Sequence, residues 1–326
     1  MKIVGLITEY NPFHNGHLHH INEARRVTGA DYVIVVMSGD YVQRGAPAVM
    51  PKRLRAEMAL KCGASAVFEL PVCYAAGSAE YFAMGAVSLL DSLGIVDAIC
   101  FGSECNDLES LSHVADILTG EPDDYRSLLR TNLKKGVSFP SARHDALLEY
   151  THVPAYAALL DDPNNILGIE YLKSLKRLGS HITPFTIQRE GSHYHDQSLS
   201  PERLSSASAI RSLLAYSGSS LRTEHSGAGF ENTSFSSILG ELEEQVPSCC
   251  LELLEDYHRV QYPVYQNDFS IILKYKLLNK HPGSLVRYQD VSEELANRIC
   301  AQLNNFFNYK QFAELLKTRE TTQTRI

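Results

Sequence analysis

The sequence has no apolar run long enough to cross a bilayer. The longest, such as "YVIVVM" and "ILGI", fall far short of the roughly 18 residues a spanning helix needs. Met1 leads into a strand-like pattern without a signal-peptide layout, so a cytoplasmic protein with no membrane partner is expected. There is no cysteine framework either. The seven cysteines are odd in number, no CxxC pair is matched by a second, and only Cys249 and Cys250 are adjacent. That excludes a disulfide scaffold or a zinc ribbon and predicts reduced, mostly core thiols. Positive charge is not in excess: the net charge of −8 argues against a surface coated uniformly for nucleic acid. Local basic patches are still present, at Arg126, Arg130, Lys134 and Lys135; at Lys173, Lys176 and Arg177; and at Lys310, Lys317, Arg319 and Arg325. For each, a solvated helix face is the ordinary alternative. No internal repeat is visible.

What is present is an alternation. Apolar runs of strand length ("KIVGLIT", "YVIVVMSG", "AVFELP", "DAICFGS") are separated by segments of helical period at 18–27, 52–61, 80–93 and 108–118. Continuous apolar strands between helices predict a parallel sheet covered on both faces, a Rossmann-like, doubly wound α/β fold. Helical patterns follow over 124–149 and in "PNNILGIEYLKSLKRL", and "HITPFTIQRE" adds one more strand. The stretch "SGSSLRTEHSGAGFENTSFSS" is rich in Ser and Gly. It divides the expected organisation into an α/β domain over 1–216, a linker or loop over 217–237, and a C-terminal helical domain over 238–326. Helices are predicted in that last part at 238–257, 268–278, 292–306 and 309–316.

In an open α/β sheet, ligands sit beyond the carboxyl ends of the strands, and the first strand runs straight into "TEYNPFHNGHLHH". Pro12 fixes a turn and Gly16 allows close backbone approach. Asn15 to Leu18 then begin a helix whose free N–H groups and dipole favour an anion. His14 and His17 flank that anion and are suited to donate to phosphate oxygens as negative charge builds. A structural metal is the rival reading of four histidines in seven residues. His17 and His20 stand at i and i+3, but no Cys or carboxylate partner lies at a telling distance, so no protein cage for a metal is expected. For His19 and His20, solvated or core-satisfied roles are the ordinary alternative. A second anion element, "SSASAIR", sets Ser205, Ser206 and Ser208 at a helix start, with Arg211 one turn inside; helix capping alone is its alternative.

These two motifs resemble the T/HxGH and ISSTxIR-type motifs of the nucleotidyltransferase superfamily. Together with "MSGDYVQRGAPAV", "FELP", "FGSE", "PNNILGIEYL" and "GSHYHD", in that order from Met1 to Ile326, the chain resembles the bacterial tRNA(Met) cytidine acetate ligases. The resemblance implies that ATP and acetate give acetyl-adenylate and pyrophosphate, after which the wobble cytidine of elongator tRNA(Met) takes the acetyl group. ATP is then a substrate, Mg²⁺ is expected with its triphosphate, and acetate and the tRNA are the partners. Ile7, Thr8, Glu9, Tyr10, Asn11, Pro12, Phe13, His14, Asn15, Gly16, His17, Leu18, His19 and His20 would line the ATP site. Gly102, Asn164 (or Asn165) and Arg189 would also contact the nucleotide, and Ser206, Ser208 and Arg211 would hold pyrophosphate. His14, His17 and Arg211 are the expected catalytic residues. Asp40, Gln43 and Arg44 are candidates for acetate or cytidine contact, with a loop cap as the alternative for Asp40. Glu104 is a ribose contact or a helix-terminal charge, and His193 and His195 are substrate contacts or loop hydrogen bonders. Members of that family continue beyond "TQTRI", which implies a truncated helical, tRNA-binding extension.

Two other functions fit the same motifs: an adenylyltransferase acting on a phosphorylated cofactor precursor, and a nucleotide-sensing tRNA-binding module without turnover. The "VQRG" and "NNILG" blocks speak against the first, and the intact His14 and His17 against the second. Nothing in the sequence assigns an oligomeric state.

Overall fold

A computed structural model describes residues 1–43, 45–189, 206–222, 233–260 and 263–318. The first part alternates as the apolar pattern predicts: β1 (Ile3–Thr8), α1 (Asn15–Thr28), β2 (Tyr32–Ser38), α2 (Lys52–Lys61), β3 (Ala66–Leu70), α3 (Val72–Ala75), α4 (Ala79–Ser92), β4 (Ala98–Ser103) and α5 (Leu108–Gly120). A helical stretch follows, α6 (Asp123–Lys134), α7 (Phe139–Thr151), α8 (Pro154–Ala158) and α9 (Pro163–Leu178), and then β5 (Thr183–Gln188). The helix expected over 124–149 is in fact two, because Gly136 takes a positive φ of 73° and Ser138 caps a fresh start.

All the strands are parallel, in the order β3-β2-β1-β4-β5. The period-2 alternation of β-structure sends neighbouring side chains to opposite faces. Ile3, Ile34, Val36, Ile99 and Phe101 enter one core with α4, α5 and α9, while Val4, Leu6, Val33, Val35 and Cys100 enter the other with α1 and α2. Gly5 lets α4 sit close to β1, since a Cβ there would lie 2.7 Å from a Leu90 methyl. The strand order reverses between β1 and β4, which is where such sheets open a crevice.

The remaining helices are α10 (Ala207–Arg222), α11 (Thr233–Glu243), α12 (Ser248–Val260), α13 (Ser270–Leu278), α14 (Pro282–Leu285), α15 (Glu293–Gln302) and α16 (Tyr309–Leu316). They correct the expected domain boundary. Helix covers both ends of the Ser/Gly-rich segment, up to Arg222 and again from Thr233. The single helix expected over 238–257 is split at Pro247. Ile238, Leu242, Val246, Cys250 and Leu254 join the core of Val4, Leu6 and Ile21, so α11 and α12 belong with the sheet. A separate small core appears only beyond them, around Leu295, Phe306, Phe312 and Leu316. Helical periodicity reports that a face is apolar, not which neighbour will cover it. No helix among the described residues is long and apolar enough to cross a membrane.

Candidate active site

The chain leaves β1 through Tyr10, which takes a left-handed φ of 47°, and a cis Asn11–Pro12 bond, and enters α1 at its N-cap, His14. His14 Nδ1 accepts from the Gly16 N–H at 3.1 Å, and His17 Nδ1 accepts from the His14 N–H at 3.3 Å. This is a capping box built from two imidazoles, whose rings lie 3.7 Å apart. Because both Nδ1 atoms act as acceptors, each neutral ring carries its proton on Nε2. Burial, with Arg189 and Arg211 nearby, pushes His14 down to about 3. His17 is also held well below the usual histidine range, by burial first and by His14 next; by area it is half-buried, but protein surrounds it closely. Tyr10 and Phe13, both fully buried, pack behind His17 with ring centroids 4.8 and 5.5 Å away.

The second motif closes over the first. Ser206 Oγ accepts from the Ala209 N–H at 3.1 Å as α10 begins. Arg211, one turn along, donates from Nη2 to Ser208 Oγ and from Nη1 to the Asn11 carbonyl, both at 2.8 Å. A cavity of about 470 Å³ lies between the two motifs at the carboxyl ends of β1, β4 and β5. Of the predicted residues it brings together Ile7, Thr8, Glu9, Tyr10, Asn11, His14, Gly16, His17, His19, His20, Gln43, Gly102, Asn164, Arg189, Ser206, Ser208 and Arg211.

Other predicted residues stand elsewhere. Pro12, Phe13, Asn15 and Leu18 do not border the cavity. Pro12 and Phe13 are buried in the turn, Leu18 packs on the core beneath α1, and Asn15 donates from N to the Gln245 carbonyl and from Nδ2 to the Glu244 carbonyl, each at 2.9 Å. Asp40 is a cap: its Oδ1 accepts the Lys52 N–H at 2.8 Å as α2 begins, and it does not reach the cavity. Glu104 is likewise engaged at a helix start, where Asn164 Nδ2 donates to its Oε1 and the Asn165 N–H to its Oε2. Asn165, buried, returns the contact by accepting from the Glu104 N–H at 3.0 Å, so Asn164 and not Asn165 faces the cavity. At Gly102 the close neighbour is Arg189, whose Cγ would lie 3.0 Å from an added Cβ. Arg44, His193, His195 and Ser205 lie outside the described residues.

Two features escaped the sequence. One is an apolar wall of Phe82, Phe101, Leu167 and Tyr171 on the α4 and α9 side of the cavity; these positions read simply as core. The other is Arg55, fully buried in α2, which donates to the carbonyls of Glu9, Ser38, Gly39 and Met50 and so ties the loops after β1 and β2 together. Burial pushes it down to about 10. In "KRLRAEM" nothing distinguishes it from its exposed neighbours.

A family model described as HIGH Nucleotidyl Transferase matches residues 1–326. Over 327 residues the chain is 45% identical to the tRNA(Met) cytidine acetate ligase of Thermoanaerobacter sp. (strain X514), covering 100% of this chain and 76% of that protein. The chain belongs to the tRNA(Met) cytidine acetate ligase family. A second member, from Acetivibrio thermocellus, is 42% identical over 328 residues, covering 100% of this chain and 75% of its own length. Among solved structures, Thermotoga maritima TmcAL bound with alpha-thio ATP superposes with a TM-score of 0.86 at 36% identity, covering 100% of this chain and 72% of that one. The apo form I of the same protein gives 0.89 at 37%, with 100% and 73% covered. The family's nucleotidyltransferase fold is thus that of the parallel sheet described above.

The ion pairs redistribute the candidate basic patches. Arg126 pairs with Asp123 and Glu121, Lys135 with Glu149, Lys173 with Glu170, Lys176 with Asp116, and Arg177 with Glu80. Lys317 pairs with Glu314 at 3.5 Å and stays exposed with Lys310, while Arg319 and Arg325 lie outside the described residues.

Proposed function

We propose that the chain is an ATP-dependent acetate ligase that forms acetyl-adenylate and passes the acetyl group to the wobble cytidine of elongator tRNA(Met), giving N4-acetylcytidine. In the first step an acetate oxygen attacks the α-phosphorus, the bond to the α,β-bridging oxygen breaks, and pyrophosphate leaves with its electrons. In the second, the cytidine N4 attacks the acetyl carbonyl, AMP leaves, and N4 loses one proton.

The observation that carries this reading is the pair of neutral imidazoles at the α1 N-terminus. With Nδ1 of each ring occupied by a backbone N–H, Nε2–H is the donor left for phosphate oxygens. Arg189 and Arg211 supply the fixed positive charge, and the N-terminal dipole of α1 adds to it. His14, His17 and Arg211 act on the departing pyrophosphate, Ser206 and Ser208 hold the same end, and Gly102, Asn164 and Arg189 border the nucleoside. The wall of Phe82, Phe101, Leu167 and Tyr171 takes the uncharged parts of the reactants, the adenine and the acetyl methyl. Glu9 is the single carboxylate among the described residues bordering the cavity, which suits Mg²⁺ carried on the triphosphate and not caged by the protein. The helices around α13 to α16, with Lys310 and Lys317, follow the tRNA backbone.

Pyrophosphate exchange into ATP tests the first step. Exchange is expected to depend on acetate, and N4-acetylcytidine is expected in tRNA(Met) digested after incubation with both substrates. Exchange driven instead by a phosphorylated cofactor precursor would select an adenylyltransferase, and ATP binding without any exchange would select a sensor.

A further inference from the structure

No step of acetate activation uses a thiol, and the spacing of the seven cysteines predicts no site. The fold nevertheless gathers three of them. Cys62 closes α2 as its C-cap, and Cys249 and Cys250 stand in the first turn of α12. Cys62 Sγ lies 3.4 Å from Cys250 Sγ and 3.7 Å from Cys249 Sγ, and all three sulfurs fall within 4.8 Å of one another. Cys62 and Cys250 are buried, while Cys249 is half-buried and gives solvent a way in. This is the only such group of ligating side chains among the described residues.

Ordinary packing accounts for a buried cysteine, which behaves as a small hydrophobe. It does not account for three sulfurs converging on one point from two elements. A disulfide explains them no better, since Cys62 is nearly equidistant from both partners. The spacing fits a metal: with zinc–sulfur bonds of about 2.3 Å and tetrahedral angles, neighbouring sulfurs lie ~3.8 Å apart. The charges fit too. Three thiolates and a divalent ion leave one negative charge, set at the N-terminal end of the α12 dipole by Cys249 and Cys250 in its first turn. The group contains no carboxylate or imidazole, so its donor set selects a thiophilic cation over Mg²⁺ or Ca²⁺.

We propose that Cys62, Cys249 and Cys250 form a binding site for one thiophilic divalent cation of the Zn²⁺ kind, which clamps α12 to α2. Three metal–sulfur bonds form, three S–H bonds break, and the protons pass to solvent; no electron is transferred. Two connections lead from the clamp to the active site. α12 follows the Glu244–Gln245 turn that holds Asn15 at the start of α1, and α2 carries Arg55, which ties down the loop after β1.

The test titrates Cd²⁺ into the full 326-residue chain, reduced and stripped of metal, and follows the ultraviolet thiolate-to-cadmium charge-transfer band. Saturation at one equivalent, reversal by Zn²⁺, and a higher thermal midpoint with ion bound are expected. Cys249→Ser changes the half-exposed ligand, and its metal-free thermal midpoint, compared with that of the parent, reports whether the fold is intact. In this folded variant Cd²⁺ should bind about a hundredfold more weakly, with a band about one third smaller, as fits removal of one of three thiolates. Cys62→Ser should behave alike, and Cys73→Ser, remote from the cluster, should bind as the parent does. Binding without one-to-one saturation, or unchanged affinity in both cluster variants, would overturn the site.

Discussion

Arg211 Nη1 donates to the Asn11 carbonyl at 2.8 Å, while Nη2 of the same guanidinium donates to Ser208 Oγ at 2.8 Å. One planar fork thus joins the turn after β1 to the start of α10, 200 residues away in sequence, and sets a full positive charge beside His14. Arg211→Lys keeps the charge but not the fork, because an ammonium group cannot span both acceptors in fixed geometry. Acetate-dependent pyrophosphate exchange should fall by about 10²-fold. A rate within twofold of the parent would reduce Arg211 to a helix-capping residue.

His14→Ala and His17→Ala should each lower the exchange rate by about 10²- to 10³-fold while changing ATP affinity much less, since the imidazoles act on charge that develops in the transition state. Equilibrium ATP binding measured beside the exchange rate separates the two effects. Parallel losses would mean that the histidines serve the ground state only.

The depressed histidines make an acid-stability prediction whose sign follows from linkage. Burial holds His14 down to about 3 in the folded chain, whereas an unfolded chain titrates near 6.5. Between those values the unfolded state binds a proton that the folded state does not, so stability present above 6.5 is lost as the pH falls. From pH 7 to pH 5 His14 alone should remove about 2 kcal/mol from the ATP-free protein. Denaturant unfolding at both pH values should show a smaller drop for His14→Ala than for the parent. Equal drops would show that the ring is not held neutral by burial.

Arg55→Met leaves the carbonyls of Glu9, Ser38, Gly39 and Met50 without their donor inside the protein. A loss of at least about 3 kcal/mol in unfolding free energy is expected, comparable to breaking a buried charged network. Pyrophosphate exchange should drop as well, because the loop that carries Glu9 loses its anchor. Urea denaturation of parent and variant measures the first effect, and a change under about 1 kcal/mol would contradict it.

Transfer to tRNA should separate from activation. Lys310 and Lys317 are exposed on the small C-terminal core, away from the cavity. Lys310→Ala and Lys317→Ala should weaken tRNA binding at every salt concentration tested. Each should also lower the slope of log K against log salt by about one for every phosphate left without its lysine, with acetate-dependent exchange unchanged. Unaltered slopes would move the tRNA surface to the sheet domain.

The sequence by itself determined the parallel sheet, because continuous apolar strands and helical periods are local signals that burial on both faces makes strong. It also marked the turn from Thr8 to His20 as a place for a site, since Pro12, Gly16 and the histidines lie within a few residues of a strand end, and the cavity opens there. Tertiary structure decided what depends on distant partners. Helical periodicity could not say that α11 and α12 would cover the sheet, nor could spacing say that Asp40 would cap α2 and Glu104 would meet Asn164 and Asn165 at the start of α9. Arg55 is one basic residue among several in α2 until folding buries it against four carbonyls. The sulfurs of Cys62, Cys249 and Cys250 likewise meet only when α12 docks on α2, since residues that far apart along the chain leave no mark of their meeting in any local pattern.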